Sequence, residues 1–307
     1  MPSWTEVLTE INQTKNSFEQ LALGAPVRVR HRYLKELHEL TGRNIISYYS
    51  GWLTKPNNYA NALIDEDKNG FMTAVHGLDR NLGLDLILHT PGGSISATQS
   101  IVNYLQSMFG RDVRAIIPQI AMSAGTMIAC SCKSIVMGKQ SNIGPIDPQL
   151  NGVPAYMVIE EFRRASKEIV NEDGTMNPSK LAIWQQIISQ YRPTFLSQCE
   201  HAISRSNAFV KEQLMSVMFA ELKTAERKAN KVVSELTKYQ DGHDRHYHIE
   251  DCKKIGLKIE ELEKSGNEKL QDLVLTAHHC YMHSLANTTQ FKIIENHTGV
   301  GISKSQA

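Results

Sequence analysis

The sequence predicts an α/β fold, a parallel sheet covered by helices on both faces. Three observations predict it. Short apolar runs stand at Leu84–His89, Val113–Ile117 and Ser134–Met137. Stretches with helical spacing, at about 95–109 and 123–132, carry the chain from each run to the next. The runs themselves are nearly all apolar, as strands buried on two faces are, rather than alternating.

Taken in order, residues 1–24 place Trp4, Val7, Leu8, Ile11 and Phe18 at helical spacing, and 27–41 read as a basic helix with Leu34, Leu37 and Leu40. Asn44–Tyr49 reads as a strand, followed by a polar loop through Lys55-Pro56-Asn57-Asn58 and a helix at about 66–78. Beyond 137 the pattern becomes helical, over 156–170, 181–205 and 208–239. The last of these carries Phe209, Leu214, Val217, Met218, Phe219 and Leu222 in its first half; Lys223–Lys238 is too polar to be core and reads as a solvated arm or an oligomer contact. A short helix at 249–255, a long one near 260–287 and a strand at 291–295 complete the chain.

Bulk properties exclude several classes. The chain has 307 residues, net charge +1 and 21% charged residues, too balanced to track a nucleic-acid backbone. No basic n-region precedes an apolar run, and no segment reaches the length of a membrane span, so a cytoplasmic protein is expected. The five cysteines are odd in number and not spaced as a disulfide framework or a zinc ribbon; reduced thiols are expected.

Two motifs fall where an α/β fold places its chemistry, just past the carboxyl ends of strands. Thr90-Pro91-Gly92-Gly93 joins a strand to a helix, and its glycines leave backbone N–H groups open to a cleft. In Ala121-Met122-Ser123-Ala124-Gly125-Thr126, small residues surround a serine at the start of a helix. Together they supply the minimum for acyl transfer: Ser123 as nucleophile, with the N–H groups of Gly93 and Ala124 as an oxyanion hole. A tight turn and a helix N-cap are the plainer readings of either motif alone.

The segments LDLILHTPGGSISA, IPQIAMSAGTMIACSCKSIVMGKQSNIGPIDPQ and HIEDCKKIGL resemble the Clp and signal-peptide-peptidase-A serine peptidases, and most closely the branch called serine dehydrogenase proteinase. The resemblance spans roughly residues 44–262. It implies a crotonase-like spiral of ββα units, Ser123 as nucleophile, an oxyanion hole that includes Gly93, and a homo-oligomer. A peptide or unfolded-protein substrate is expected, with no cofactor or metal. The expected organisation is a helical extension over 1–43, a peptidase domain over 44–262 with a helical arm over 155–240, and a C-terminal helix and strand over 263–307.

Ser123 needs a proton acceptor. Where Clp-type peptidases carry a histidine, this chain has Ile143-Gly144-Pro145-Ile146-Asp147-Pro148. The signal-peptide-peptidase-A pattern implies a lysine instead, and both Lys167 and Lys180 are available; aligning Met176 with that family's methionine favours Lys167. A lysine titrates near 10.4 when free and must be desolvated to act as a base, whereas Lys167 stands among charged residues. Asp147 either orients the base, binds substrate backbone with Gly92, or caps its own turn.

Other polar clusters read as structural. Asp65-Glu66-Asp67-Lys68-Asn69-Gly70 opens like a calcium loop but has His76 where the bidentate glutamate belongs, so a helix start is expected. His243, His246 and His248 read as a polar surface segment, and His278, His279 and His283 as part of a helix without the glutamate of a zinc protease. Two other functions fit the same superfold: an acyl-CoA hydratase or isomerase using the paired N–H donors, and a non-catalytic scaffold that lacks the base.

Overall fold

The computed structural model describes residues 4–17, 24–150, 152–237, 245–264 and 266–306. Phe18 and His243 lie outside these. In chain order the helices α1 (Trp4–Ser17) and α2 (Ala25–Thr41) lead to strand β1 (Asn44–Ser50), helix α3 (Asp67–Val75), β2 (Leu84–His89), α4 (Ile95–Phe109) and β3 (Val113–Ile117). The two-residue strand β4 (Ile120–Ala121) precedes α5 (Ala124–Cys130), β5 (Ser134–Met137) and β6 (Asn142–Ile143), and a hairpin of β7 (Gln149–Leu150) and β8 (Val153–Pro154) opens the helical arm. The arm comprises α6 (Ala155–Glu168), α7 (Pro178–Ile188), α8 (Phe195–Gln213) and α9 (Ala225–Leu236). Then come α10 (Ile249–Ile255), β9 (Ile259–Glu261), α11 (Glu268–Asn287), β10 (Gln290–Asn296) and β11 (Gly301–Ser305).

The main sheet runs β11-β10-β1-β2-β3-β5-β9, parallel from β1 to β9, with β10 and β11 antiparallel at one edge. Successive strand residues point to opposite faces, and the core divides accordingly. Ile46, Tyr48, Leu86, Leu88, Ala115, Ile117, Ile135 and Met137 face α3, α4, α5, α9 and α10. Ile45, Tyr49, Ile87, Ile116, Val136 and Ile293 face α1, α2 and α11. The α/β sheet covered on both faces is therefore present, with helical segments before and after its central strands. Among the described residues no helix is long and apolar enough to cross a membrane.

Three helix expectations are corrected. The stretch 181–205 is interrupted between Ile188, where α7 ends, and Phe195, where α8 begins; the break contains Pro193, which lacks an N–H, and Thr194 at φ 69°. The stretch 208–239, of which residues 238 and 239 lie outside the described residues, is likewise two helices over 208–237, separated by a π turn at Leu214–Met218 and a turn before Ala225. Its polar second half is not solvated all round: Ala229, Val232, Val233 and Leu236 recur at three- and four-residue spacing and are buried in the main core. The expected helix at 260–287 starts only at Glu268, because Ile259–Glu261 pairs with β5 as the far edge strand.

The buried histidines make the fold acid-sensitive. Burial pulls His89 and His297 to about 4, and burial also holds His278 well below the usual imidazole range. All three are thus neutral when folded and titrate near 6.5 when unfolded. As pH falls from about 6.5 toward 4 the unfolded chain takes up protons that the folded one refuses, so stability drops, on the order of 3 kcal/mol for His89 alone. Burial alone would raise Glu295, but Arg30 and His31 hold it at about 2, so its contribution is lost only as pH falls from the usual carboxylate range toward that value. Urea midpoints are expected to be clearly lower at pH 4.5 than at pH 7.5; equal midpoints would rule this out.

Candidate active site

The two sequence motifs meet at the carboxyl ends of β2 and β3. Thr90 N–H donates to Ile120 O at 3.2 Å and Met122 N–H to Thr90 O at 2.9 Å, a parallel bridge that holds the serine loop against the glycine loop. Behind it, fully buried His89 places Nδ1 3.2 Å from Ser50 O and Nε2 3.1 Å from the Gln119 side-chain amide. The residue just before the first motif is thereby tied to Gln119, two residues ahead of the second.

Ser123 is one of two described non-glycine residues with positive φ, at φ 49° and ψ −110°. This backbone is strained for a residue with a Cβ and is characteristic of functional positions. The N-cap reading fails, because the Ser123 side chain makes no cap bond. Among the described residues its hydroxyl has no hydrogen-bond partner. The Ala124 N–H, at the first position of α5, likewise donates to no described acceptor.

Gly92 and Gly93 are required by close approach. Gly92 has φ 97°, and a Cβ there would lie 2.7 Å from Ser123 Cβ and 2.9 Å from Ala124 N. Gly93 has φ 155° and packs against Leu63, whose N and O would be 2.3 and 2.4 Å from a Cβ. Leu63 N–H donates to Gly92 O at 2.7 Å, and Ser94 N–H donates to Leu63 O at 2.8 Å. In such a parallel bridge the intervening residue turns its own N–H and C=O to the opposite side. Gly93 thus directs its N–H away from Leu63, and no described acceptor takes it.

Both glycines and Ser123 line a cavity of about 480 Å³. Its walls combine the apolar side chains of Ile95, Met127, Ile146 and Leu150 with polar Ser94 and Gln149, and the β7–β8 hairpin and Ala202 of α8 form part of the rim. Ile146 is fixed through both backbone groups, its N–H donating to Leu236 O at 3.0 Å and its carbonyl accepting from Ser206 Oγ at 2.8 Å. Thr126 Oγ1 exchanges hydrogen bonds with the backbone of Gly144, at 2.9 and 3.0 Å, and so joins α5 to the loop that carries Ile146.

None of the described residues lining the cavity is titratable. Asp147 is buried between Ile146 and Pro148, which do line it, but is not itself part of the wall. Lys167 is exposed near the end of α6, and Lys180 on α7 is ion-paired with Glu168 at 3.3 Å; neither reaches the cavity. Of the polar clusters, Asp67 is engaged in a buried ion pair, and Tyr247 packs inward while His246 and His248 face solvent. His278 lies against Tyr49 and His89. Among the described residues no group of three or more His, Cys, Asp or Glu side chains could hold a metal ion. Leu63 is a part of the site that the sequence does not disclose, since it carries no local signal.

A family model described as ClpP-like SDH-type serine proteinase matches residues 59–274, which include every described residue lining the cavity. Two uncharacterized proteins of Methanocaldococcus jannaschii are similar: one is 28% identical over 64% of this chain and 59% of its own length. The other is 26% identical over 63% of this chain and 58% of its own. The chain thus spans about three fifths of the length of the curated relatives it matches. Among solved structures, a serine-to-alanine mutant of the 1510-N membrane-bound stomatin-specific protease aligns with TM-score 0.39 and 17% identity, over 68% of this chain and 79% of that one. A lysine-to-alanine mutant of the same protease in complex with a substrate peptide aligns with TM-score 0.34 and 17% identity, over 62% and 64%.

Proposed function

The chain belongs to the ClpP-like SDH-type serine proteinases, and from that premise we propose that it is a serine endopeptidase with Ser123 as nucleophile. The supporting observation is the strained Ser123 backbone beside two unengaged N–H groups, in a cavity with several apolar side chains in its wall. Ser123 Oγ attacks the scissile carbonyl carbon while a base takes its proton, and the oxygen that becomes negative accepts from Gly93 and Ala124. The tetrahedral species collapses with loss of the amine, which takes a proton back from the base. Water then hydrolyses the acyl-enzyme by the same route.

The base is a lysine in this proposal, and Lys167 is the preferred one. Its desolvation has to come from another copy of the chain, since within one copy it is exposed. The arm offers the surface for such contact. Val153, Met157, Val170, Met176 and Ile183 are large apolar residues exposed on or beside α6 and α7. We therefore assign a homo-oligomer to the working enzyme. Asp147, buried between two residues of the cavity wall, is assigned to orienting the base or binding substrate backbone. The five cysteines are unpaired and buried, which fits a cytoplasmic setting.

The substrate is an extended peptide or unfolded segment with an apolar side chain before the cut, placed against Met127, Ile146 and Leu150. The test is incubation with an unfolded protein and mass spectrometry of the products. Cleavage after apolar residues is expected. Absence of cleavage together with acyl-CoA binding would transfer the paired N–H donors to acyl-CoA chemistry instead. The lack of a titratable wall residue favours one second reading, a non-catalytic scaffold, which predicts intact oligomers in which Ser123 is inert.

A further inference from the structure

Far from the serine in sequence, Lys292 of β10 and Asp67 of α3 form an ion pair with side-chain exposures of 1% and 0%. Lys292 Nζ lies 2.9 and 2.8 Å from the two Asp67 oxygens and donates to Ala62 O at 2.8 Å. Asp67 Oδ2 also accepts from Tyr48 Oη at 2.9 Å and from Ile64 N–H at 3.1 Å. The pair thus grips residues 62 and 64 through their backbones. Between them, Leu63 turns its own N–H and C=O to Gly92 and Ser94.

A buried ion pair gains little net stability, because desolvation offsets the attraction, so its stabilising value does not account for its place here. What this one fixes is the strand on which Gly93 is laid. Lys292 also lies beyond residue 274, outside the segment that the family model covers. We propose that the Asp67–Lys292 pair is a positioning device for the oxyanion loop, holding residues 62–64 so that Gly93 presents its N–H to the cavity. This inference rests on the peptidase reading of Ser123. Neither residue lines the cavity; both act through residues 62–64, where they hold Ala62 O and Ile64 N–H on either side of Leu63.

The test compares the full chain with Lys292→Met and Asp67→Asn, and with Val29→Ala, which opens a cavity on the opposite face of the sheet. The readouts are the second-order rate of Ser123 labelling by a fluorophosphonate and the separate kcat and KM for a peptide. Loss of one aligned donor predicts a fall of about tenfold to hundredfold in labelling rate and kcat, with KM nearly unchanged. Val29→Ala is expected to label at the wild-type rate while folded. Should Lys292→Met not fold, near-isosteric Asp67→Asn, which keeps an acceptor for Ile64 N–H, carries the same expectation. A folded variant of the pair that labels at the wild-type rate overturns the inference, as does an equal slowing in Val29→Ala. No labelling of the unmodified chain overturns instead the peptidase reading on which it stands.

Discussion

Replacement of Ser123 by alanine is expected to abolish peptide hydrolysis, lowering kcat by a factor on the order of 10⁶, as loss of the nucleophile does in serine peptidases. Its fold should be untouched, because the hydroxyl has no hydrogen-bond partner among the described residues and serves as no helix cap. Ala124 N–H and Gly93 N–H remain in place, so substrate affinity should change little. The measurement is hydrolysis of an internally quenched peptide alongside a thermal melt. Residual turnover within a hundredfold of wild type would remove Ser123 from the chemistry, and a large drop in melting temperature would show that its role is structural.

Gly92→Ala should cost about 10²–10³ in kcat/KM. The added methyl would stand 2.9 Å from Ala124 N and 2.7 Å from Ser123 Cβ. It would either displace the serine loop or cover the donor, and the conformation at φ 97° is itself poorly open to an L side chain. The same substitution at Gly110, another positive-φ glycine whose Cβ would meet nothing within 4 Å, separates backbone strain from damage to the cavity. Gly110→Ala is expected to lose some stability and keep its activity. Equal activity in Gly92→Ala and Gly110→Ala would contradict an oxyanion hole at this place.

Local signals make much of this fold legible in the amino-acid sequence. The strand Leu84–His89 and the helix at 95–109 have the extents the sequence indicates, because an apolar run ends at a Pro-Gly-Gly turn and a Ser94 N-cap opens the helix. The two motifs are readable as partners, since strand–helix crossovers in a parallel sheet bring successive loops to one edge. The joints between distant segments are not readable. Leu63 gives no hint that it pairs with Gly93, and the partners Asp67 and Lys292 are separated by most of the chain.

Lys167 illustrates the opposite limit. A family pattern points to a lysine, but only burial makes a lysine a base, and burial depends on what packs over α6. Within one copy that face is open, and the apolar residues along the arm have no cover. Sequence spacing locates such a residue without specifying its environment. The edge strand Gly301–Ser305 is illegible for a related reason: its residues are mostly exposed, so it carries almost no apolar pattern.

If Ser123 is an activated nucleophile, the site of a covalent adduct reveals it. The full chain is treated with a fluorophosphonate, its intact mass is recorded, and the modified residue is mapped by digestion and tandem mass spectrometry. A single adduct per chain is expected, on Ser123 and absent from Ser123→Ala. An adduct on another serine, or an unmodified Ser123 in a protein shown to be folded and assembled, would contradict it.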